Sequence, residues 1–227
     1  METFLFIGII AVSYVIGAIP MGLIIVKIIT GKDIRLIQSG RTGGTNAMRA
    51  AGFWAGFSTA ILDVCKGASG VWIARALLPG HPWLEILAPI AAIIGHNYSI
   101  FLLEKEKDGK IRLRGGAGGA PTAGGAIGLW FPSTFIIIPA ATAILFGIGY
   151  ASVATMSIPI LASLIFAYRA WIGASPWVYV LYGLLAEVIL VWALRPNIKR
   201  LWEGNERLVG WRARRKASQT ENRNPKQ

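Results

Sequence analysis

The hydrophobic pattern divides this chain into long apolar runs separated by three short basic segments. Residues 3–29 are almost wholly apolar, with one small-residue and proline interruption at Gly17 and Pro20. Further apolar runs cover residues 51–78, 83–103 and 176–194. Between Gly115 and Tyr168 there is no charged residue at all. A run of that length exceeds the roughly 20 apolar residues that cross a bilayer core once. No soluble domain buries such a stretch without charges on its outer face, so the pattern predicts an all-α, polytopic membrane helical bundle. Residues 3–29 are not a signal peptide: Glu2 is the only charge before them, and no small-residue cleavage site follows.

Charge then sets the expected topology. Twenty of the 23 Lys and Arg residues fall in residues 27–49, residues 104–114 and the tail from Arg195 onward. By the positive-inside rule these three segments share the cytoplasmic face and the N-terminus lies outside. The chain must then cross an even number of times between Arg114 and Arg195. Four crossings fit, at residues 120–131, 133–149, 151–168 and 176–194. The first is short and glycine-rich, and is expected to be a partial span packed among other helices. The count is about seven transmembrane helices, N-terminus outside and C-terminus cytoplasmic; five is the alternative. Residues 1–210 read as one membrane domain, and residues 211–227 as a basic, disordered cytoplasmic tail.

Composition narrows the function classes. The 227 residues are 54% hydrophobic and 15% charged, with mean hydropathy +0.55 and net charge +12. The basic excess belongs to membrane loops, so it points to topology and anionic lipid rather than nucleic acid. The single cysteine, Cys65, excludes an intramolecular disulfide. His81 and His96 have no Cys or His at ligand spacing, so no metal site is expected. The halves show no repeat, which weighs against a transporter.

Chemistry is concentrated in the polar segments. Gln38-Ser39-Gly40-Arg41-Thr42-Gly43-Gly44-Thr45-Asn46-Ala47-Met48-Arg49 offers glycines for close backbone approach, hydroxyl donors and a cation, just before a helix N-terminus. That is an anion cradle by composition, though without the Gly-Lys-Ser/Thr of a nucleotide loop. A flexible connector capped by Thr45 or Asn46 is the other reading. Asp63 and Lys66 share a face of the second span, as a site or as a structural ion pair. His96, among apolar neighbours, reads as a packing or positioning residue. Arg112 and Arg114 precede Gly115-Gly116-Ala117-Gly118-Gly119, a second candidate cradle or a close helix contact. Asn197 and Arg200 project together at i,i+3 if the last helix continues. Two glycine-rich loops and a basic helix thus face one leaflet, which suggests a site for phosphate-bearing ligands.

Six motifs occur in order: Gly17-Ala18-Ile19-Pro20; Ser39-Gly40-x-x-Gly43-x-Thr45-Asn46-x-x-Arg49; Asp63-x-x-Lys66-Gly67; Gly95-His96; Gly115-Gly116-x-Gly118; and Asn197-Ile198-x-Arg200-Leu201-x-x-Gly204-x-Glu206. Together they resemble the bacterial acyl-phosphate:glycerol-3-phosphate acyltransferases, the PlsY family, over nearly the whole chain to about Glu206. The resemblance implies a seven-helix enzyme of the bacterial cytoplasmic membrane, its active site facing the cytoplasm. It implies acyl transfer from acyl phosphate, not acyl-CoA or acyl carrier protein, to the first hydroxyl of glycerol 3-phosphate, without a cofactor. The products would be lysophosphatidic acid and phosphate. Because acyl phosphate is already activated, proximity and phosphate donors suffice, and the donor's own phosphate can take the hydroxyl proton.

Carried over motif by motif, Ser39 and Asn197 are the catalytic candidates. Arg41, Thr45, Asn46, Arg49, Lys66, Arg114, Gly115, Gly116, Gly118 and Arg200 are the phosphate-binding candidates. Asp63 and His96 would position them, and no residue binds metal. The expected partners are the two substrates and membrane lipid, with the protein a monomer. The chain departs from the family pattern at Arg41 (usually Asn), Ala117 (usually Lys), Pro121 (usually Thr) and Leu194 (usually His). One reading is that the cation has moved from the second loop to Arg41 in the first. The alternative function is a divergent, non-catalytic lipid- or phosphate-binding paralogue.

Overall fold

The structure is a computed structural model that describes residues 1–105, 109–213 and 215. Its order is α1 (Glu2–Ala18), α2 (Met21–Thr30), α3 (Gly44–Ala51), α4 (Phe53–Leu77), α5 (Pro82–Asn97), β1 (Leu103–Lys105), β2 (Ile111–Leu113), α6 (Gly119–Leu129), α7 (Thr134–Ile148), α8 (Ala151–Trp171) and α9 (Val178–Trp202). Among the described residues four stretches are long and apolar enough to cross a membrane: Glu2–Thr30, Phe131–Ile148, Ala151–Trp171 and Val178–Trp202. Their outward faces expose Phe4, Leu164, Val188 and other large apolar side chains, as lipid-facing helices do.

The first apolar run is broken rather than kinked. Pro20 has no N–H and disfavours helical geometry at the residue before it, and Ile19 sits at φ −58°, ψ 119°. The break strips carbonyls of their helical partners, which hydrocarbon does not tolerate. Lys66 Nζ donates to Gly17 O at 3.1 Å and Ile19 O at 2.7 Å. Ser99 Oγ donates to Ala18 O at 2.5 Å. The charged face of α4 thereby repairs the helix break.

The apolar run at residues 83–103 does not form one helix. α5 stops at Asn97, and Leu103–Lys105 pairs antiparallel with Ile111–Leu113. The helical span expected to reach Leu103 is corrected accordingly: alternation in Ile111-Arg112-Leu113-Arg114 is a strand period, not a helical one.

The core lies where α5, α6, α8 and α9 meet, around Ile86, Ile90, Phe166, Tyr182 and Leu190. The expected partial span is α6, only 11 residues and almost wholly buried. At 1.5 Å per residue it rises about 16 Å, roughly half a bilayer core. It lies flat against α4 because small residues meet backbone: a Cβ at Gly67 would collide with Pro121 O, and one at Gly124 with Val64 O.

Candidate active site

The first loop is pinned from within. Gly40 sits at φ +67° and Gln38 at φ +49°, both left-handed. Asn46, buried at the start of α3, donates from Nδ2 to Ile37 O at 3.0 Å and Arg41 O at 2.9 Å, with Ile34 O at 3.3 Å. Its amide hydrogens are thus spent on the loop. The expectation that Asn46 holds phosphate is corrected: it staples the cradle into shape, and its remaining oxygen can only accept.

Arg41 crosses from this loop to the other two basic segments. Nη1 donates to Gly116 O at 2.9 Å, and Nη2 to Ala193 O at 2.6 Å and Asn197 Oδ1 at 3.3 Å. Burial pushes its guanidinium below the usual arginine range, reinforced by the nearby Arg200 charge. Arg41 is therefore first a brace between loops, with two of its five N–H groups left over. Asn197 Nδ2 donates to Glu206 Oε1 at 2.9 Å, and Arg200 Nε to Glu206 Oε2 at 3.2 Å. Asn197 and Arg200 do share a face, but their common ligand is a carboxylate of this chain. Arg200 is corrected from phosphate ligand to the partner of buried Glu206.

Four further candidates, Lys66, Arg114, Gly115 and Gly116, move. Lys66, 4% exposed, forms an ion pair with Asp63 at 2.8 Å besides its two carbonyl bonds. It is not a phosphate ligand. His96 Nδ1 lies 3.5 Å from both Lys66 Nζ and Asp63 Oδ1, so the three form one buried cluster. Asp63 Oδ2 has no donor among the described residues. Arg114 makes an ion pair with Glu104 at the end of the hairpin rather than reaching a ligand. Gly115 and Gly116 are glycines because the loop lies directly on the end of α5. A Cβ at Gly115 would strike His96 O, and one at Gly116 the His96 ring. The reading of the second loop as a close packing contact applies to this pair.

What remains converges on one cavity of about 640 Å³. Its polar end is lined by Ser39, Arg41, Thr45, Asn46, Arg49, Gly118, Asn197, Glu206 and Arg207, with Asp63 and His96 beneath. Its other end is apolar, lined by Phe57 and Ile61 of α4, Ile127 of α6, Ile138 and Leu145 of α7, and Ile158 of α8. Lys66, Arg114, Gly115, Gly116 and Arg200 do not line it. Arg49 is desolvated there, which lowers its guanidinium from the usual range, and the Arg207 charge lowers it further. Sequence reasoning missed Arg207 and the apolar wall. Residues 133–168 carry no charge to mark the ligand-facing side; the signal available is the set of hydroxyls at Thr134, Thr142, Ser152 and Thr155, which all line the cavity.

Such a cavity suits an amphipathic ligand, with an anion at the arginine end and an alkyl chain along the apolar wall. A family model described as glycerol-3-phosphate acyltransferase matches residues 7–204. The chain is 32% identical over 210 residues to the glycerol-3-phosphate acyltransferase of Gloeobacter violaceus, covering 90% of this chain and 95% of that one. It is 34% identical to glycerol-3-phosphate acyltransferase 2 of Moorella thermoacetica, covering 89% and 96%. It also superimposes with a TM-score of 0.77 and 25% identity on the crystal structure of PlsY (YgiH), an integral membrane glycerol 3-phosphate acyltransferase, in its glycerol 3-phosphate form; the match covers 90% of this chain and 96% of that one. With an amphipathic cavity inside a membrane bundle and a family match over nearly its whole length, this chain belongs to the glycerol-3-phosphate acyltransferase family, the integral membrane acyltransferases of phospholipid synthesis.

Proposed function

We propose that the protein transfers an acyl group from acyl phosphate to the first hydroxyl of glycerol 3-phosphate. The observation that carries this is the cavity itself, lined by arginines and hydroxyls from the loops and by a mainly apolar wall from the helices. Two solved relatives are described as glycerol 3-phosphate and lysophosphatidic acid forms, the first a ligand for the cationic end alone and the second joining a phosphate to an alkyl chain. The hydroxyl oxygen bonds to the acyl carbon, the bond from that carbon to the phosphate oxygen breaks, and the departing phosphate carries away the hydroxyl proton. No side-chain nucleophile is needed. The protein contributes proximity and charge.

In this reading Ser39, Thr45 and Arg49 hold a phosphate, with Gly118 allowing close approach. Arg41 fixes the two loops and Asn197 in register, and the second amide hydrogen of Asn197 is the donor for the carbonyl oxygen. Asp63 and His96 position the floor through Lys66 and the Gly116 contact. The bundle makes seven passes in a bacterial cytoplasmic membrane, counting α1 with α2 as one and α4 to α9 singly. Its N-terminus is outside and the cavity faces the cytoplasm. Residues 1–210 form one domain and the protein acts as a monomer. In the proposed tail, Trp211 and Arg212 still bond to the end of α7. Arg214 and residues 216–227 lie outside the described residues.

The test is purified protein in lipid, supplied with glycerol 3-phosphate and either acyl phosphate or acyl-CoA. Release of phosphate and formation of lysophosphatidic acid with acyl phosphate alone is expected. Turnover with acyl-CoA alone would overturn the donor assignment. No turnover with either donor would favour a non-catalytic binding protein.

A further inference from the structure

After α9 the chain turns back across the cavity mouth as a strap held at both ends. Upstream, Glu206 is fixed by Asn197 and Arg200. Downstream, the strap caps the C-terminal end of α7, where helical carbonyls have lost their partners. Trp211 Nε1 donates to Phe146 O at 3.1 Å, Arg212 Nη1 to Ile148 O at 3.2 Å, and Val209 N to Gly149 O at 2.8 Å. Leu208 also bridges to Tyr150.

Arg207 sits between these anchors and lines the cavity with Arg49, which comes from α3. Among the described residues neither guanidinium has a hydrogen-bond or ion-pair partner, whereas the neighbouring Arg41 and Arg200 each do. The two are close enough for the Arg207 charge to disfavour that of Arg49. Two cations lining one partly buried cavity favour an anion between them. Glu206 cannot serve fully, since its two oxygens already accept from Asn197 and Arg200.

We propose that Arg207 and Arg49 form a two-guanidinium clamp for a phosphoryl dianion, making Arg207 a substrate-binding residue. The forked donors of each arginine match phosphate oxygens, and two forks from separate elements of the chain fix its orientation. Because Arg207 lies on the strap, the clamp is complete only while the strap caps α7. The inference rests on the acyltransferase reading. The phosphoryl group could belong to glycerol 3-phosphate or to acyl phosphate.

The test compares Arg207→Ala, Arg207→Gln and Arg207→Lys with the unmodified protein, using Arg195→Ala as a charge control. Arg195 stacks on Trp192 outside the cavity. Expected is a rise of about tenfold or more in KM for one phosphate-bearing substrate in the Ala and Gln variants, with kcat changed less than about twofold. The Lys variant should recover part of the loss, and the control none of it should show. Whichever substrate moves identifies the source of the phosphate. Combined with Arg49→Ala, the loss should be less than the product of the single losses, since one clamp is already open. Calorimetric titration of inorganic phosphate gives a readout independent of turnover. If the unmodified protein binds phosphate yet shows no turnover, the acyltransferase reading fails while about tenfold weaker binding by Arg207→Gln sustains the clamp. Unchanged KM for both substrates and unchanged phosphate affinity in a folded Arg207→Gln protein would overturn it. A fall in kcat alone would also overturn it.

Discussion

The bundle holds two arginine clusters at opposite ends of its helices, and they differ in what is left over. At one end Arg75 Nε meets Glu85 at 2.7 Å, while its Nη atoms donate to Gly128 O, Leu129 O and Tyr179 Oη. Tyr179 in turn donates to Glu85 Oε2 at 2.5 Å. Four of the five Arg75 N–H groups are answered, the Glu85 carboxylate pairs with its charge, and the cluster ties α4, α5 and α9 to the end of α6. At the other end Arg49 and Arg207 face a cavity with no partner among the described residues, beside an Arg41 with donors to spare. A charge in a membrane protein is costly, so a satisfied cluster is explained by the fold alone. One without a partner in the protein is free to take an anionic ligand.

The comparison can be broken at its structural end first. Glu85→Ala leaves Arg75 without its counter-charge and should cost about 3–5 kcal/mol of stability. Thermal unfolding in lipid should show this, while substrate affinity of the surviving folded protein stays the same. Lys66→Ala should lose stability as well, since it abandons Asp63 and the broken α1–α2 carbonyls together, but it should also weaken substrate binding because Asp63 and His96 line the cavity.

Arg49→Ala sits at the other end and should reverse the pattern. Loss of a desolvated charged donor to phosphate should cost about 2–5 kcal/mol in binding or turnover, with the unfolding midpoint held.

Arg41 tests the middle case, a brace inside the working end. Arg41→Asn removes charge-assisted bonds worth about 1.5–3 kcal/mol each in general, and kcat should fall accordingly. A relocated charge would be rescued by Ala117→Lys; a brace would not, because a lysine there cannot join Gly116 O, Ala193 O and Asn197. Non-rescue in the double variant is expected, and recovery of most activity would restore the relocation idea.

The smallest effect is predicted at the hairpin latch, where Arg35 pairs with both Asp33 and Glu104. Hydrogen bonding to Arg35 holds the Asp33 carboxyl below its ordinary value of 3.8. A depressed carboxylate contributes stability above its unfolded pKa and loses it as pH falls through the lower folded one. Protection of the amides in residues 33–37, taken as exchange relative to the unfolded-chain rate at each pH, should therefore fall only below about pH 4, and in Asp33→Asn it should be low across the whole range.

Much of this architecture is legible in the residues, and the parts that are not share a cause. The uncharged run from Gly115 to Tyr168 announces the membrane, and Gly17 with Pro20 announces the break between α1 and α2. The first loop is marked by its glycines and hydroxyls. What Lys66 does depends on carbonyls 47 and 49 residues away, which no local pattern contains. The hairpin was masked by apolar residues running past Asn97, although Asp108-Gly109 is a turn dipeptide. Arg207 looks like one more tail cation until Trp211 and Arg212 are seen to cap α7. Motifs locate loops; only packing says which donors in them are still free.

That distinction between spent and unspent donors is the central claim, and ligand titration tests it most directly. Glycerol 3-phosphate should be titrated calorimetrically into the unmodified protein, Arg49→Ala and Glu85→Ala, each folded in lipid. The account predicts about tenfold or greater weakening in Arg49→Ala and unchanged affinity in Glu85→Ala. Equal affinity in the unmodified protein and Arg49→Ala, or a loss confined to Glu85→Ala, would contradict it.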